Sequence, residues 1–367
     1  MAERPDTEAP SPPRRADTAA PATVGIVVNP HAGKDIRRLV SAAGSTSDAV
    51  KIGIVRRAMV GALEQGVERL LVSADSHRLA ERAAEGLDGP IELLDSPGTG
   101  SHLDTVAAAR DLWKHEAGAV IALGGDGTCR DVATGWPDVP LIAISTGTNN
   151  VFPTAVDGTS AGVAAALVAS GAVAIGEVAR QADRIVVQVD DPRHDRRSEE
   201  TALVEAALID ATFVGARAVS DPASVRWVVA CVADPAGTGL ASIAGRTHPI
   251  EHGTSGGVLI RLGPGGRSVR VPLAPGSFAT VDVASVRPLA PSETVELPGG
   301  GVLAYDGERT TPVSRHATIA VRVEPGGPRC IDVGAALVRA AHDRRFDVGD
   351  PHDHPSRPGG GGDDDGH

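Results

Sequence analysis

Aromatic side chains are scarce in this chain: its 367 residues include three Trp, one Tyr and four Phe. A core with so few rings must be built from Val, Ala, Leu and Ile, and these keep the hydrophobic fraction at 41%, ordinary for a globular protein. Cysteine is equally sparse. Cys129, Cys231 and Cys330 are odd in number and fit no zinc spacing, which argues against a disulfide framework and predicts a reducing, cytoplasmic setting. Lysine occurs only at Lys34, Lys51 and Lys114, and no basic block offsets a formal net charge of −12. Nucleic acid and anionic membrane are therefore excluded as bulk partners. Long apolar runs are missing too. The stretch from Ala161 to Gly176 is too short to span a bilayer and reads as a buried helix, and the first 22 residues contain no apolar signal core.

What the chain does have is glycine, placed at the ends of apolar strands. Ala119 to Leu123 reads as a strand and runs into Gly124-Gly125-Asp126-Gly127-Thr128, which leads into a helical segment. Such a turn lets backbone N–H groups and a helix N-terminus approach a phosphate. An aspartate fixed inside it can hold a divalent cation or orient and deprotonate a hydroxyl, and both tasks belong to phosphoryl transfer. Two more loops follow strands in the same way: Asn29-Pro30-His31-Ala32-Gly33-Lys34, and Thr146-Gly147-Thr148-Asn149-Asn150. Open α/β sheets place their ligands at these strand ends. Neither a Walker A loop nor a dinucleotide fingerprint is present. Val28 and Asp35 stand where the former needs glycine and a hydroxyl residue, and Arg130 stands where the latter needs its third glycine. Lys34 reads either as a phosphate ligand or as a solvated lysine at a helix start.

These motifs together resemble the superfamily that unites NAD kinases with diacylglycerol and sphingosine kinases. Within it they are most similar to the ATP-NAD kinase-like group that includes acetoin-catabolism protein X. The segments Phe213 to Ala218, Gly239 to Gly245 and Tyr305-Asp306-Gly307-Glu308-Arg309 share the likeness, which spans residues 23 to 345. The resemblance implies an ATP- and Mg²⁺-dependent kinase with its site between two domains. Asn29, Gly33, Lys34, Gly124, Gly125, Gly127 and Thr128 would hold donor phosphates, and Thr146, Gly147, Thr148, Asn149 and Asn150 would contact the nucleotide. Asp126 would engage the acceptor hydroxyl, with Asp306 or Glu308 holding the metal or assisting as base, and Glu205 would contact the acceptor. By its residues alone, Asp306-Gly307 reads as a hairpin turn. Val204 replaces the asparagine that in NAD kinases precedes the glutamate, which removes paired hydrogen bonds that would select NAD. The acceptor is thus NAD, or a lipid or small polyol. A non-catalytic nucleotide-binding accessory protein of acetoin-type catabolism is the third reading. Relatives of this kind are commonly oligomeric, so a homo-oligomer is expected.

The periodicity predicts a disordered tail over residues 1–22, then an α/β nucleotide-binding domain over 23–176 with a parallel, Rossmann-like sheet. Short β-branched runs between Gly/Pro turns predict a mainly β, sandwich-like acceptor domain over 177–330. A C-terminal helix over 331–349, returning to the first domain, and an acidic tail over 350–367 complete the chain. Asp191 to Glu200 reads as a charged surface loop. His102, His248 and His252 read as surface or loop histidines, and His352 and His354 as part of the acidic tail. Cys129 reads either as a packed small residue or as a thiol open to the site.

Overall fold

The computed structural model describes residues 21–32, 46–146, 150–193, 196–210, 222–307 and 309–347. Its first half alternates as expected: β1 (Thr23–Val28), α1 (Asp48–Glu64), β2 (Arg69–Ser73), α2 (Leu79–Ala84), β3 (Ile91–Leu94), α3 (His102–Lys114), β4 (Ala119–Gly124), α4 (Asp126–Gly135), β5 (Pro140–Ser145) and α5 (Gly158–Ala169). Every residue of β1 and β4 is buried, as central parallel strands covered on both faces must be. Side-chain caps set the helix starts: Ser47 accepts from the Val50 N–H, Ser101 from Leu103 and Asp157 from Thr159. The strands pair in parallel in the order β3-β2-β1-β4-β5. Chain direction through the sheet reverses between β1 and β4. The crevice beyond their carboxyl ends is the topological switch point, where ligands of such sheets bind.

With few rings to fill space, the layers close by backbone approach. Helices α1 and α5 pack through glycine: a Cβ on Gly162 would stand 2.0 Å from the Ala58 carbonyl oxygen. Val55, Ala58, Met59, Ala62, Ala161, Ala164 and Ala165 complete this contact over the sheet.

The second half continues with α6 (Ile175–Val178), β6 (Ala179–Asp191), β7 (Arg196–Ala202), β8 (Glu205–Ile209), β9 (Val225–Ala230), α7 (Ala241–Gly245), β10 (Gly257–Ala274), β11 (Ser277–Leu289), β12 (Thr294–Pro298), β13 (Gly301–Tyr305), β14 (Arg309–Val313), β15 (Thr318–Ile331) and α8 (Val333–His342). Strand β15 pairs in parallel with β5 through Arg329 and Cys330, and antiparallel with β6 and β12. The first sheet therefore runs on across residue 176, where only the connections change from helices to hairpins. A second, antiparallel sheet has the order β11-β10-β9-β8-β13-β14. It packs on the extension of the first: Ile185, Val187, Ile319 and Val321 share one buried cluster with Leu208, Trp227, Val229 and Leu303. That is the sandwich-like arrangement expected. Helix α8, capped by Asp332, returns to the first layer and buries Val333, Ala336 and Ala340 with α1 and α5.

Several expectations are corrected. Asp191 to Glu200 is no loop over its second part: Arg196–Ala202 pairs with β6, setting Arg197 opposite Asp190 and Glu199 opposite Gln188. Charged cross-strand pairs suit an edge strand, so polarity there marked an edge. Strand β10 is longer than the short runs expected, and register shifts at Leu262 accommodate the glycines at its middle. Just before β1, Ala22 is buried and its carbonyl accepts from the Arg69 N–H at 3.1 Å.

Candidate functional site

At the switch point the strand-end loops are joined to one another. The Asn29 N–H donates to the Leu123 carbonyl at 3.1 Å, continuing the ladder between β1 and β4 by one residue. The Asn29 Nδ2 then donates to Thr128 Oγ1 at 2.8 Å, tying the first loop to the first turn of α4. Behind the loop, the Nζ of fully buried Lys51 donates to the Pro30 carbonyl at 2.6 Å. Glycine is needed where the turn tightens: a Cβ on Gly124 would lie 2.3 Å from Thr128 Oγ1, and one on Gly125 2.9 Å from Asn150 Oδ1. The third loop closes on the same turn. The Thr146 N–H donates to the Gly124 carbonyl at 3.2 Å, and Asn150 Nδ2 donates to Ser145 Oγ at 2.8 Å.

Asp126 sits at the centre, largely buried. Its Oδ1 accepts from the Val151 N–H at 3.0 Å and the Phe152 N–H at 2.8 Å, and its Oδ2 lies 3.1 Å from the Val151 nitrogen. The GGDGT carboxylate thereby fixes the segment leaving the third loop. From the second half, the His252 ring reaches the same segment, with Nε2 3.1 Å from the Val151 oxygen and its ring edge-on to Phe152.

The Asp306 hairpin is brought to the other side of α4. Tyr305 pairs with Arg309 across a turn in which Asp306 (φ 48°) and Gly307 (φ 66°) are left-handed, as a tight hairpin requires. The Asp306 carboxylate has no solvent exposure and accepts from the Leu203, Val204 and Glu205 N–H groups at 3.1, 2.9 and 3.3 Å. Arg130 joins it from α4: Nη1 donates to the Tyr305 carbonyl at 2.9 Å and stands 3.8 Å from Asp306 Oδ2, while Nη2 lies 3.2 Å from Asp131 Oδ1. Burial pushes the Asp306 carboxyl above its ordinary range, against the pull of Arg130 and the three amides. The Asp306 oxygens are thus engaged by donors of the protein itself. Three N–H donors and a guanidinium surround the carboxylate. Glu205, also buried, belongs to this cluster: a Cβ on Gly307 would be 3.9 Å from its Oε1.

Gly33, Lys34, Gly147, Thr148, Asn149 and Glu308 lie outside the described residues, as do the segment 213–218, residues 1–20 and residues 348–367. Among the described residues, no group of three or more His, Cys, Asp or Glu is disposed to hold a metal ion, and no helix is long and apolar enough to cross a membrane. Cys129 is packed inside α4, not open to the site, and burial raises its thiol pKa well above the ordinary value. Lys51 and Arg130 were not anticipated as site-building residues. The one signal available was their type: a lysine in a chain with three, and an arginine at a glycine position.

Known proteins resemble both halves of the chain. Residues 24–172 match the model of the ATP-NAD kinase N-terminal domain, and residues 183–326 that of the acetoin catabolism protein X C-terminal domain. Acetoin catabolism protein X of Cupriavidus necator is 34% identical over 330 residues, covering 86% of this chain and 92% of that protein. The chain belongs to the acetoin catabolism protein X family. An uncharacterized protein of Archaeoglobus fulgidus is 34% identical over 130 residues, 35% of this chain and 36% of that one. The structure of yeast NADH kinase, solved with NADH, superposes with a TM-score of 0.51 at 14% identity and covers 90% of each chain. This chain thus has the NAD kinase fold: a parallel α/β layer followed by antiparallel β-sheets.

Proposed function

We propose that this chain is a phosphotransferase that moves the γ-phosphoryl group of ATP to a hydroxyl group of NAD or a related small molecule. The observation that carries the reading is the junction of three Gly-, Asn- and Thr-rich loops at the switch point, with Asn29 bonded to Thr128 across it. The residues present suit a triphosphate. Thr146 Oγ1 is buried without a hydrogen-bond partner among the described residues, a donor that a phosphate oxygen would satisfy. Gly125, which caps the ten-residue helix α4, has no side chain to stand between its backbone and a phosphate. Mg²⁺ is read as travelling on the nucleotide's phosphates, and no residue described here is assigned to it. When bound, it would neutralise charge between the transferred and leaving groups.

The protein's own part in such a transfer is positioning and electrostatics. Asn29 and Thr128 hold the two loops at fixed separation around the donor. The amides of Val151 and Phe152 orient the Asp126 carboxylate, and we assign to it the orientation of the acceptor hydroxyl. The Asp306 cluster fixes the backbone of the buried residues 203–205. Val204 is fully buried in the core with Leu203, so it offers an acceptor no polar contact, and NAD is the leading acceptor rather than the assigned one. A second reading, nucleotide binding without transfer, is favoured by one observation: the carboxylates of Asp126 and Asp306 both accept main-chain N–H groups.

The test incubates the full chain with ATP, Mg²⁺ and NAD, following NADP formation and ATP consumption separately, with Asp126→Asn as control. NADP formed by wild type and lost in the variant supports an NAD-directed kinase. ATP consumption only with another hydroxyl compound moves the acceptor. Binding of ATP with no transfer to any acceptor supports the second reading.

A further inference from the structure

Among the described residues, the sheets end in edge strands that are blunted in every case but one. In the first sheet β3 is four residues long, β7 carries Arg197, Glu199 and Glu200, and β12 carries Glu296 and Pro298. In the second, β14 is five residues long and contains Pro312. Short length, charge and proline are the usual means of keeping an edge from pairing with a foreign strand. Strand β11, the other edge of the second sheet, is 13 residues long, and over residues 277–286 its only charge is Asp282. Among the described residues it pairs with β10 alone, so one row of its N–H and C=O groups has no strand beside it. Phe278 adds a large apolar side chain that is 54% exposed.

This edge is held in shape by what lies behind it. Past the register shift that skips Ala284, residues 278–283 pair regularly with residues 267–272 of β10. Val271, Val281 and Val283 pack with Leu240, Ile243 and Ala244 at α7, and Arg267 Nη2 donates to the Thr247 carbonyl at 3.3 Å. Phe278, Thr280 and Asp282 alternate with the buried valines and are exposed, as is Arg270 opposite Thr280. The Arg270 guanidinium lies over the Phe278 ring, 5.5 Å from its centroid. Asp282 accepts from the Ser268 hydroxyl at 2.6 Å. The exposed face of the ribbon therefore presents one charge of each sign, on either side of Thr280.

We infer that β11 is a dimerisation strand, pairing antiparallel with β11 of a second copy of this chain about a two-fold axis at Thr280 and joining two six-stranded sheets into one. Directly opposed residues of an antiparallel pair point to the same face, so such an axis passes through a residue rather than between two. With Thr280 on the axis, Phe278 stands opposite the partner's Asp282, and the Arg270 guanidinium over that ring meets the partner's carboxylate. The contact occurs twice, once on each side of the axis. This charge complementarity selects a second copy as the occupant. Because β14 is blunted, each second sheet offers one such edge, and pairing closes at two chains instead of running on into a fibre. The inference is independent of the nucleotide-site reading.

The test is sedimentation equilibrium of the full chain over about 1–100 μM, a range that exposes a concentration-dependent dimer. Wild type should reach twice the 37.3 kDa chain mass. Asp282→Arg and Arg270→Asp each set like charges together and should raise the dimer dissociation constant about tenfold or more. Arg270→Asp/Asp282→Arg restores opposite charges and should return the constant to near its wild-type value, while Glu296→Arg on β12 should leave it unchanged. In wild type, amide hydrogen exchange over residues 277–286 should slow as concentration rises and that of β14 should not, a readout that needs no variant. Wild type that stays monomeric over this range, whether or not another protein binds the strand, overturns the inference. So does a dimer whose constant is the same in both single variants, or whose 277–286 amides exchange as in the monomer, since either result puts the interface elsewhere.

Discussion

Asp126 and Asp306 look alike in sequence, each an Asp-Gly in a loop, and the structure gives each a set of main-chain donors. Removing Asp126 should therefore have a structural cost as well as a functional one. Asp126→Ala leaves the Val151 and Phe152 amides without acceptor and should cost about 1–3 kcal/mol in urea unfolding. Asp126→Asn keeps one acceptor oxygen and should lose phosphoryl transfer at a smaller stability cost. Arg130 carries a heavier structural role, being the cation between Asp131 and Asp306. Arg130→Met should destabilise by about 3–5 kcal/mol, because it strands buried carboxylates. Its pH dependence has a definite sign. With Arg130 gone, the folded-state pKa of Asp306 rises further above its unfolded value of about 3.9. The folded state then holds the proton more tightly than the unfolded chain. Stability should be greatest below that value and should fall as pH rises toward the raised folded pKa, and Arg130→Met/Asp306→Asn should flatten the profile. The thiols give a simpler expectation. Burial raises all three, Cys330 to about 12, so a thiol reagent at pH 8 should label none of them until the protein is unfolded.

Elements were more legible than their partners. The strand-and-helix rhythm of the first half could be read because both patterns there are driven by apolar burial, and the caps at Ser101 and Asp157 are local chemistry. Strand β7 was hidden because its residues are charged, and charge at an edge looks like a loop until the strand beside it is known. Arg130 was legible only as a missing glycine, since its partners Tyr305 and Asp306 are 175 and 176 positions away and nothing local points to them. The same holds for Asp306, whose turn propensity was evident and whose three amide contacts were not. Close helix packing makes a prediction at this scale. Gly162→Val pushes three heavy atoms into the Ala58 carbonyl and should force α1 and α5 apart. A loss of about 1–3 kcal/mol, the usual cost of overpacking, should appear in thermal or urea unfolding.

For the molecule as a whole, the continuity of the first sheet matters most. The expected two-part chain shares one sheet, because β15 bridges from parallel to antiparallel pairing and α8 then returns to α5. The cleft side of the second half is thus held on the same framework as the switch point, and the Arg130 cluster joins them a second time. A shared framework of this kind suits a reaction in which catalysis is mostly positioning. The central claim is that the three strand-end loops form a nucleoside triphosphate site. The most direct measurement is calorimetric titration of ATP with Mg²⁺ into wild type and Gly125→Val, whose added Cβ would stand 2.9 Å from Asn150 Oδ1. The account predicts one ATP bound per chain by wild type, and binding lost in a Gly125→Val protein that remains folded. ATP bound equally well by Gly125→Val, or not bound by wild type, would contradict it.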